Sequence, residues 1–413
     1  MRPRRPPPAL ANERAVARWL AVAVLLAATT GCRRPTPGSP ASPPPAAGPA
    51  TPRPPLPRVH PLARPLVAYL FGPPGPERLA PERIGADADA LYALVAPSLA
   101  PRIGASGVEA IVRRLRTAYE APRRLLAERV HEEGPLRWYN ALFVAPARDR
   151  RPRGPLPHLL VQAAFDADGR IHRLLVREHY TPDQLEHPAR TYRPVNRFLF
   201  VSKGTWSVLQ GGPTRATNYH HGSRTQRWAY DLVVRRGGRV RPPRRRRNRD
   251  HYAYGRPVLA PAPGVVVRAV DGVPENRPGR RGRGGGNGVV IDHGFGEFSS
   301  LWHGIPGTVR VRAGDRVRPG QELFKVGNSG ASTLPHIHFH VWAGKVRRPF
   351  GLPAPFSDVY VNRRYFPERM PVRGDRVLPA DVNLRPLVEA PGPAAAPVVW
   401  VDADASADAT ARG

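Results

Sequence analysis

The sequence predicts a two-domain protein, a small α+β unit over residues 65–192 followed by an all-β sandwich or roll over 193–388. Three observations predict it. Apolar residues at helical spacing occur only ahead of residue 131. Short β-type runs between glycines fill the stretch after Trp228, and Pro335–Trp342 alternates histidines with apolar side chains. A chain of 413 residues has room for two such cores plus tails.

The first 31 residues read as a signal peptide. Arg2, Arg4, Arg5, Arg14 and Arg18 precede an apolar run, Trp19 to Ala28, well short of the ~20 residues that span a bilayer. Cys32 is the only cysteine, which excludes a disulfide framework. Thr29, Thr30 and Gly31 ahead of it resemble a bacterial lipobox, although Thr29 stands where leucine is usual. By that resemblance Cys32 is lipidated and becomes the mature N-terminus. The expectation is an exported protein on the periplasmic side of the envelope, an outer-membrane lipoprotein. Residues 32–64 are rich in Pro and Ala and lack apolar periodicity, so they read as a semi-extended tether.

In the first domain the spacing predicts a helix over Asp87 to Leu94 and one or two amphipathic helices from about Gly107 to His131. Strands are expected at Leu136–Val144, Leu159–Phe165 and Ile171–Val176, the last two joined by a turn at Asp166–Gly169. Helices followed by an antiparallel sheet make an α+β unit. That order, with Trp138 and Tyr139 in one strand, resembles the cone-shaped nuclear-transport-factor-2-like domains.

In the second domain strands are expected at Phe198–Val201, Trp228–Val234, Pro257–Ala260, Gly264–Val270, Gly288–Asp292, Glu297–Trp302, Thr308–Val311, Gln321–Val326 and His336–Trp342. A Gly-Asp hairpin spans Val311–Gly320. Phe350 to Leu387 reads as a short appended segment, and the Ala/Pro/Asp tail over 389–413 as disordered.

The net charge is +32, yet only Lys203, Lys325 and Lys345 among the 64 basic residues are lysine. The arginines are scattered apart from Arg244–Arg247 and Arg249, and no aromatic-studded recognition motif accompanies them. Nucleic acid is therefore not the expected partner; attraction to anionic envelope polymers is.

Chemistry concentrates on three stretches. His336, His338 and His340 share one face of a strand whose other face carries Ile337, Phe339 and Val341. Asp231 sits inside an apolar run, where a carboxylate is costly unless paired or metal-bound. His220 and His221 lie shortly upstream. One of that pair with Asp231 and His338 makes the two-His, one-Asp set of a hydrolytic zinc site, which keeps a fourth position for water.

From Asn218 to Trp342 the chain resembles the lysostaphin-type (LytM-like) zinc endopeptidases of bacterial cell walls. The resemblance rests on the His…Asp pair, Pro257–Val266, Gly286–Asp292–His293, Leu301-Trp302-His303, Val326–Gly330 and Pro335-His336-Ile337-His338, in that order. It implies a β fold of the duplicated-hybrid-motif kind and zinc held by His220, Asp231 and His338, with His221 as the alternative first ligand. It also implies catalytic roles for His303 and His336 and hydrolysis of peptidoglycan cross-links. His336 is expected as the general base and His303 at the developing oxyanion, with the reversed roles as the alternative; Asn328 and Ser329 are candidates for binding substrate backbone. His251, His293 and His340 are expected beside the site or at the surface. The chain departs from the pattern in three places. The gap from His220 to Asp231 is long, His340 replaces a common Glu, and Gly304 follows His303 where Leu is common. Some members of that family have lost their ligands and act as scaffolds; the intact histidines point to an enzyme.

Overall fold

The structure, a computed structural model, describes residues 56–147, 157–185, 192–344 and 347–380, and the backbone of 399–400. The expected signal segment, Cys32, most of the tether and nearly all of the tail lie outside the described residues.

Three helices open the first domain: α1 (Arg64–Phe71), α2 (Pro81–Ala93) and α3 (Ala100–Ala118). Pro81 and Glu82 suit the first turn of α2, where an amide has no partner and a negative charge meets the helix dipole. An antiparallel meander follows: β1 (Arg124–Glu133), β2 (Leu136–Val144), β3 (His158–Phe165) and β4 (Ile171–His179). Leu66, Leu70, Ile84, Leu91, Val108 and Val112 bury the helices against Tyr139, Phe143, Val161 and Ile171 of this sheet.

The expected helix to His131 is corrected here. It stops at Ala118, Tyr119 turns extended, and Arg124–Glu133 is a strand. Leu126 and Val130 fit either period, and pairing along β2 from Arg124↔Val144 to Glu133↔Leu136 decides for the strand. The nuclear-transport-factor-2-like resemblance finds no support.

The second domain is built on a curled sheet. Its strands are β5 (Phe198–Leu199), β6 (Trp206–Gln210), β7 (Tyr230–Val233), β8 (Pro257–Leu259), β9 (Gly264–Val270), β10 (Asn287–Asp292) and β11 (Glu297–Gly304). Then come β12 (Arg316–Val317), β13 (Glu322–Lys325), β14 (Ile337–Ala343), β15 (Phe350–Leu352), β16 (Phe356–Val361), β17 (Arg364–Arg369) and β18 (Arg376–Pro379). The main path runs β12-β9-β10-β11-β14-β7-β6-β18-β16-β17, and β8 pairs with β13 beside it. A further short strand, β19 (Val399–Trp400), runs parallel to β4.

Two expectations fail in this domain. Thr308–Val311 forms no strand, because its amides are taken singly: Gly307 and Val309 donate to the Asp271 carboxylate and Arg310 to the Leu323 carbonyl. The stretch after Phe350 is not an appendage. Its strands extend the main sheet through β18–β6, and Phe356 and Val359 are fully buried in the core.

Candidate metal centre

Antiparallel pairing places the cluster. In the β7–β14 ladder His338 stands directly opposite Asp231, and residues opposite one another share a face. Ile337, Phe339 and Val341 enter the core from the other face. The strand thus faces both ways, as its alternation predicts.

His220 reaches the same point from a short turn over Tyr219–Gly222. Asn218 fixes that turn. Its Oδ1 accepts the His220 amide at 3.0 Å, and its Nδ2 donates to the Ala229 and Arg227 carbonyls leading into β7. The long gap between His220 and Asp231 is therefore a tethered loop, which returns His220 to the carboxylate. His221 is not in the cluster; its ring lies edge-on to Trp228.

His220 Nε2 lies 3.1 Å from both Asp231 oxygens, and His338 Nδ1 lies 3.0 Å from Oδ1. All the candidate donor atoms lie within 4.8 Å of one another. Tetrahedral ligands about 2.0–2.1 Å from zinc stand roughly 3.3 Å apart, so the spacing fits such an ion. Two imidazoles and one carboxylate also form a donor set suited to zinc. Although burial raises it, the Asp231 carboxyl is held well below the ordinary carboxylate range by His336, His220 and His338. Burial pushes His338 down.

His303 reaches the site by a different device. The β10–β11 register slips so that Asn287 faces Gly304 and Gly288 faces Trp302, leaving His303 as the extra residue of a bulge. Its φ is 78°, a left-handed conformation that a non-glycine residue rarely adopts. Simple alternation would put His303 on the face opposite His338; the bulge turns its ring to within 4.7 Å of His336, centroid to centroid. The Gly304 departure also has a physical reason. A Cβ there would meet the Phe324 ring at 2.7 Å.

Both flanking histidines are oriented by backbone. His303 Nδ1–H donates to the Ser329 carbonyl at 2.8 Å, and His336 Nδ1–H to the Leu334 carbonyl at 2.8 Å. Each ring thereby turns Nε2 away from that carbonyl, and that of His336 lies 3.4 Å from Asp231 Oδ1. Burial, with the neighbouring imidazoles, pushes His303 well below its ordinary pKa. Burial would lower His336 too, but the Asp231 charge and hydrogen bond outweigh it and raise that ring.

Several residues differ from their expected roles. Asn328 is fully buried and donates to Asn248 Oδ1 and the Asn276 carbonyl, so its side chain does not face a substrate. Ser329 is buried likewise, donating to the Gly304 carbonyl and accepting from the Asn287 amide. His251, His293 and His340 are buried, so none is at the surface; His340 lies beside the site, the other place expected for it, with Nδ1 3.0 Å from His338 Nε2. Tyr219 was missed: its hydroxyl donates to Asp231 Oδ2 at 3.0 Å while the residue stays 56% exposed. A solvent-facing aromatic next to a candidate ligand was the available signal.

No curated protein matches the chain. Among solved structures it is similar to the catalytic domain of the prophage-encoded M23 protein EnpA from Enterococcus faecalis, at 20% identity over 36% of this chain and 88% of that one, TM-score 0.25. It is similar to a zinc containing peptidase from Vibrio cholerae at 17% identity over 52% and 55%, TM-score 0.26. For the antimicrobial peptidase lysostaphin from Staphylococcus simulans the values are 24%, 28% and 35%, TM-score 0.18. The chain thus spans little more than half of the Vibrio protein and about a third of lysostaphin. Residues 251–349, which include His303, His336 and His338 but neither His220 nor Asp231, match the model of Peptidase family M23, a family of zinc-dependent peptidases that cleave peptidoglycan cross-links. The chain carries a Peptidase family M23 domain.

Proposed function

We propose that this protein is an exported zinc endopeptidase that hydrolyses peptide cross-links of peptidoglycan. The observation that carries the reading is the convergence of His220, Asp231 and His338, from three separate segments, at donor spacing suited to zinc. In this reading those three side chains hold the ion, and His303 and His336 flank it. A zinc ion bound there supplies a nucleophile at neutral pH and a Lewis acid for the scissile carbonyl.

The chain's own groups do the rest. Each flanking imidazole turns Nε2 inward because its Nδ1–H is tied to a carbonyl. We assign proton abstraction to His336, whose Nε2 stands beside Asp231 and whose imidazolium form the carboxylate favours. His303, whose ring lies against that of His336, is placed at the developing oxyanion, whose charge would favour its imidazolium form.

Purified peptidoglycan sacculi test the reading. Wild type should release cross-link fragments and bind one zinc, whereas His338→Ala should lose the metal and at least about a thousandfold in rate. Equal fragment release by both proteins, or none by the zinc-loaded wild type, would refute it.

Export and anchoring follow from Arg2–Gly31 and Cys32, and the basic surface suits an anionic wall. On this proposal Cys32→Ala yields soluble periplasmic protein; its recovery in the membrane fraction would argue against lipidation.

A further inference from the structure

The loop between β9 and β10 carries Arg277, Arg280, Arg281 and Arg283, all exposed. None of the four forms an ion pair among the described residues. The loop's own carboxylates are engaged elsewhere. Glu275 accepts the Asn328 amide at 2.8 Å and the Tyr254 hydroxyl at 2.9 Å, and Asp271 accepts the Gly272 and Gly307 amides, each at 2.8 Å.

The backbone that carries the arginines is tied down. Asn276 Nδ2 donates to the Gly330 and Ser332 carbonyls at 2.7 and 2.9 Å. The Gly279 amide donates to the Thr333 carbonyl at 2.7 Å, Gly282 to Gly330 at 3.1 Å, and Ala331 to Gly284 at 2.8 Å. Their partner, segment 328–333, is the one whose Ser329 carbonyl orients His303 and whose Ser332 hydroxyl contacts His336. Arg281 and Arg283 flank Gly282, the loop residue whose amide is tied to Gly330. A rim of unneutralised guanidinium groups is thus clamped beside the reacting centre, and charged guanidinium forks pair with carboxylates.

We infer that this loop, with Arg281 foremost, is a recognition site for free carboxylates of the substrate peptide, so that the preferred cross-link is acidic rather than an uncharged glycine bridge. The inference rests on the peptidase reading for its substrate, though not for its test.

The test uses the zinc-loaded full chain and two synthetic stem peptides of identical backbone, one with free α-carboxylates and one with these amidated. Binding is measured by titration calorimetry and cleavage by mass analysis. Wild type should bind the free-carboxylate peptide at least about tenfold more tightly. Arg281→Gln, and Arg280→Gln as a second variant, should narrow that ratio, Arg281→Gln to within about threefold. Equal affinity of wild type for both peptides, or an undiminished ratio in Arg281→Gln, would overturn the site. Selective binding without cleavage would uphold the site while removing the hydrolase reading.

Discussion

At the residue scale, His340 decides how firmly the cluster is held. His338 presents Nδ1 to Asp231 and Nε2 to His340 Nδ1, each at 3.0 Å; with a metal ion on Nδ1, its Nε2–H would donate to His340. That bond fixes both the tautomer and the ring orientation of a candidate ligand, as the partners of metal-bound histidines generally do. His340→Ala should therefore lower zinc affinity by about tenfold to a hundredfold with the fold retained. His340→Glu, which restores an acceptor, should recover much of it. Chelator competition gives the measurement, and unchanged affinity in His340→Ala would show that packing alone orients the ring. His338, Asp231 and the His220 pair were readable in the sequence because each breaks a local rule: histidines repeat at period two, and a carboxylate interrupts an apolar run. The burial of Asn328 was not readable. It depends on Asn248 and Asn276, 80 and 52 positions away in the chain.

At the element scale, one irregularity in β11 positions His303. The strand begins at Glu297, whose carboxylate accepts from the Tyr192 hydroxyl, the Val195 and Asn196 amides and Asn196 Nδ2 at 2.6 to 3.0 Å. It ends in the bulge that turns His303 inward. Gly288, opposite Trp302, leaves room for that crossing. A Cβ there would stand 2.1 Å from the Leu301 carbonyl oxygen, and backbone cannot step aside as a side chain can. Gly288→Ala should cost about 2 kcal/mol or more of stability and displace His303, lowering cleavage more than zinc content. Loss of zinc in proportion to activity would show that the bulge supports the whole cluster. Strand existence was legible from glycine-bounded β runs, and Gly264–Val270 matches to the residue. Bulges and register were not, because they are settled between strands. The same limit explains why Arg124–Glu133 read as helix until β2 is seen beside it.

At the scale of the whole molecule, the two domains meet along a polar seam that ties the sheet of the first to the β10–β11 turn, the segment before β5 and β16. Arg129 of β1 donates to the His293 carbonyl and to Asn196 Oδ1. Arg197 bridges Glu133 and Asp358, and its guanidinium lies over Trp138 at 4.0 Å. Charge was legible in the sequence only as a total; that some of it is spent joining domains follows from the fold. The seam and its surroundings bury histidines in neutral form, which makes the molecule acid-sensitive. His293 is fully buried, with Nδ1–H donating to the Pro263 carbonyl at 2.8 Å and Nε2 accepting from the Ser299 hydroxyl at 2.7 Å. Burial lowers its pKa from 6.5 to about 4. Burial likewise lowers His131 to about 3 and pushes His179 well down. In each case the unfolded chain takes up the proton at higher pH than the folded one. Their contribution to stability is thus complete above about pH 6.5 and is lost as the pH falls toward the folded values. Buried Glu297, whose carboxyl is raised, acts in the opposite sense. His293 alone should account for about 3 kcal/mol between pH 6.5 and 4. His293→Asn keeps a donor for the Pro263 carbonyl but cannot titrate. Its stability, followed by denaturant unfolding, should fall less steeply over that window than the wild type's, and parallel curves would show that His293 does not set the acid limit.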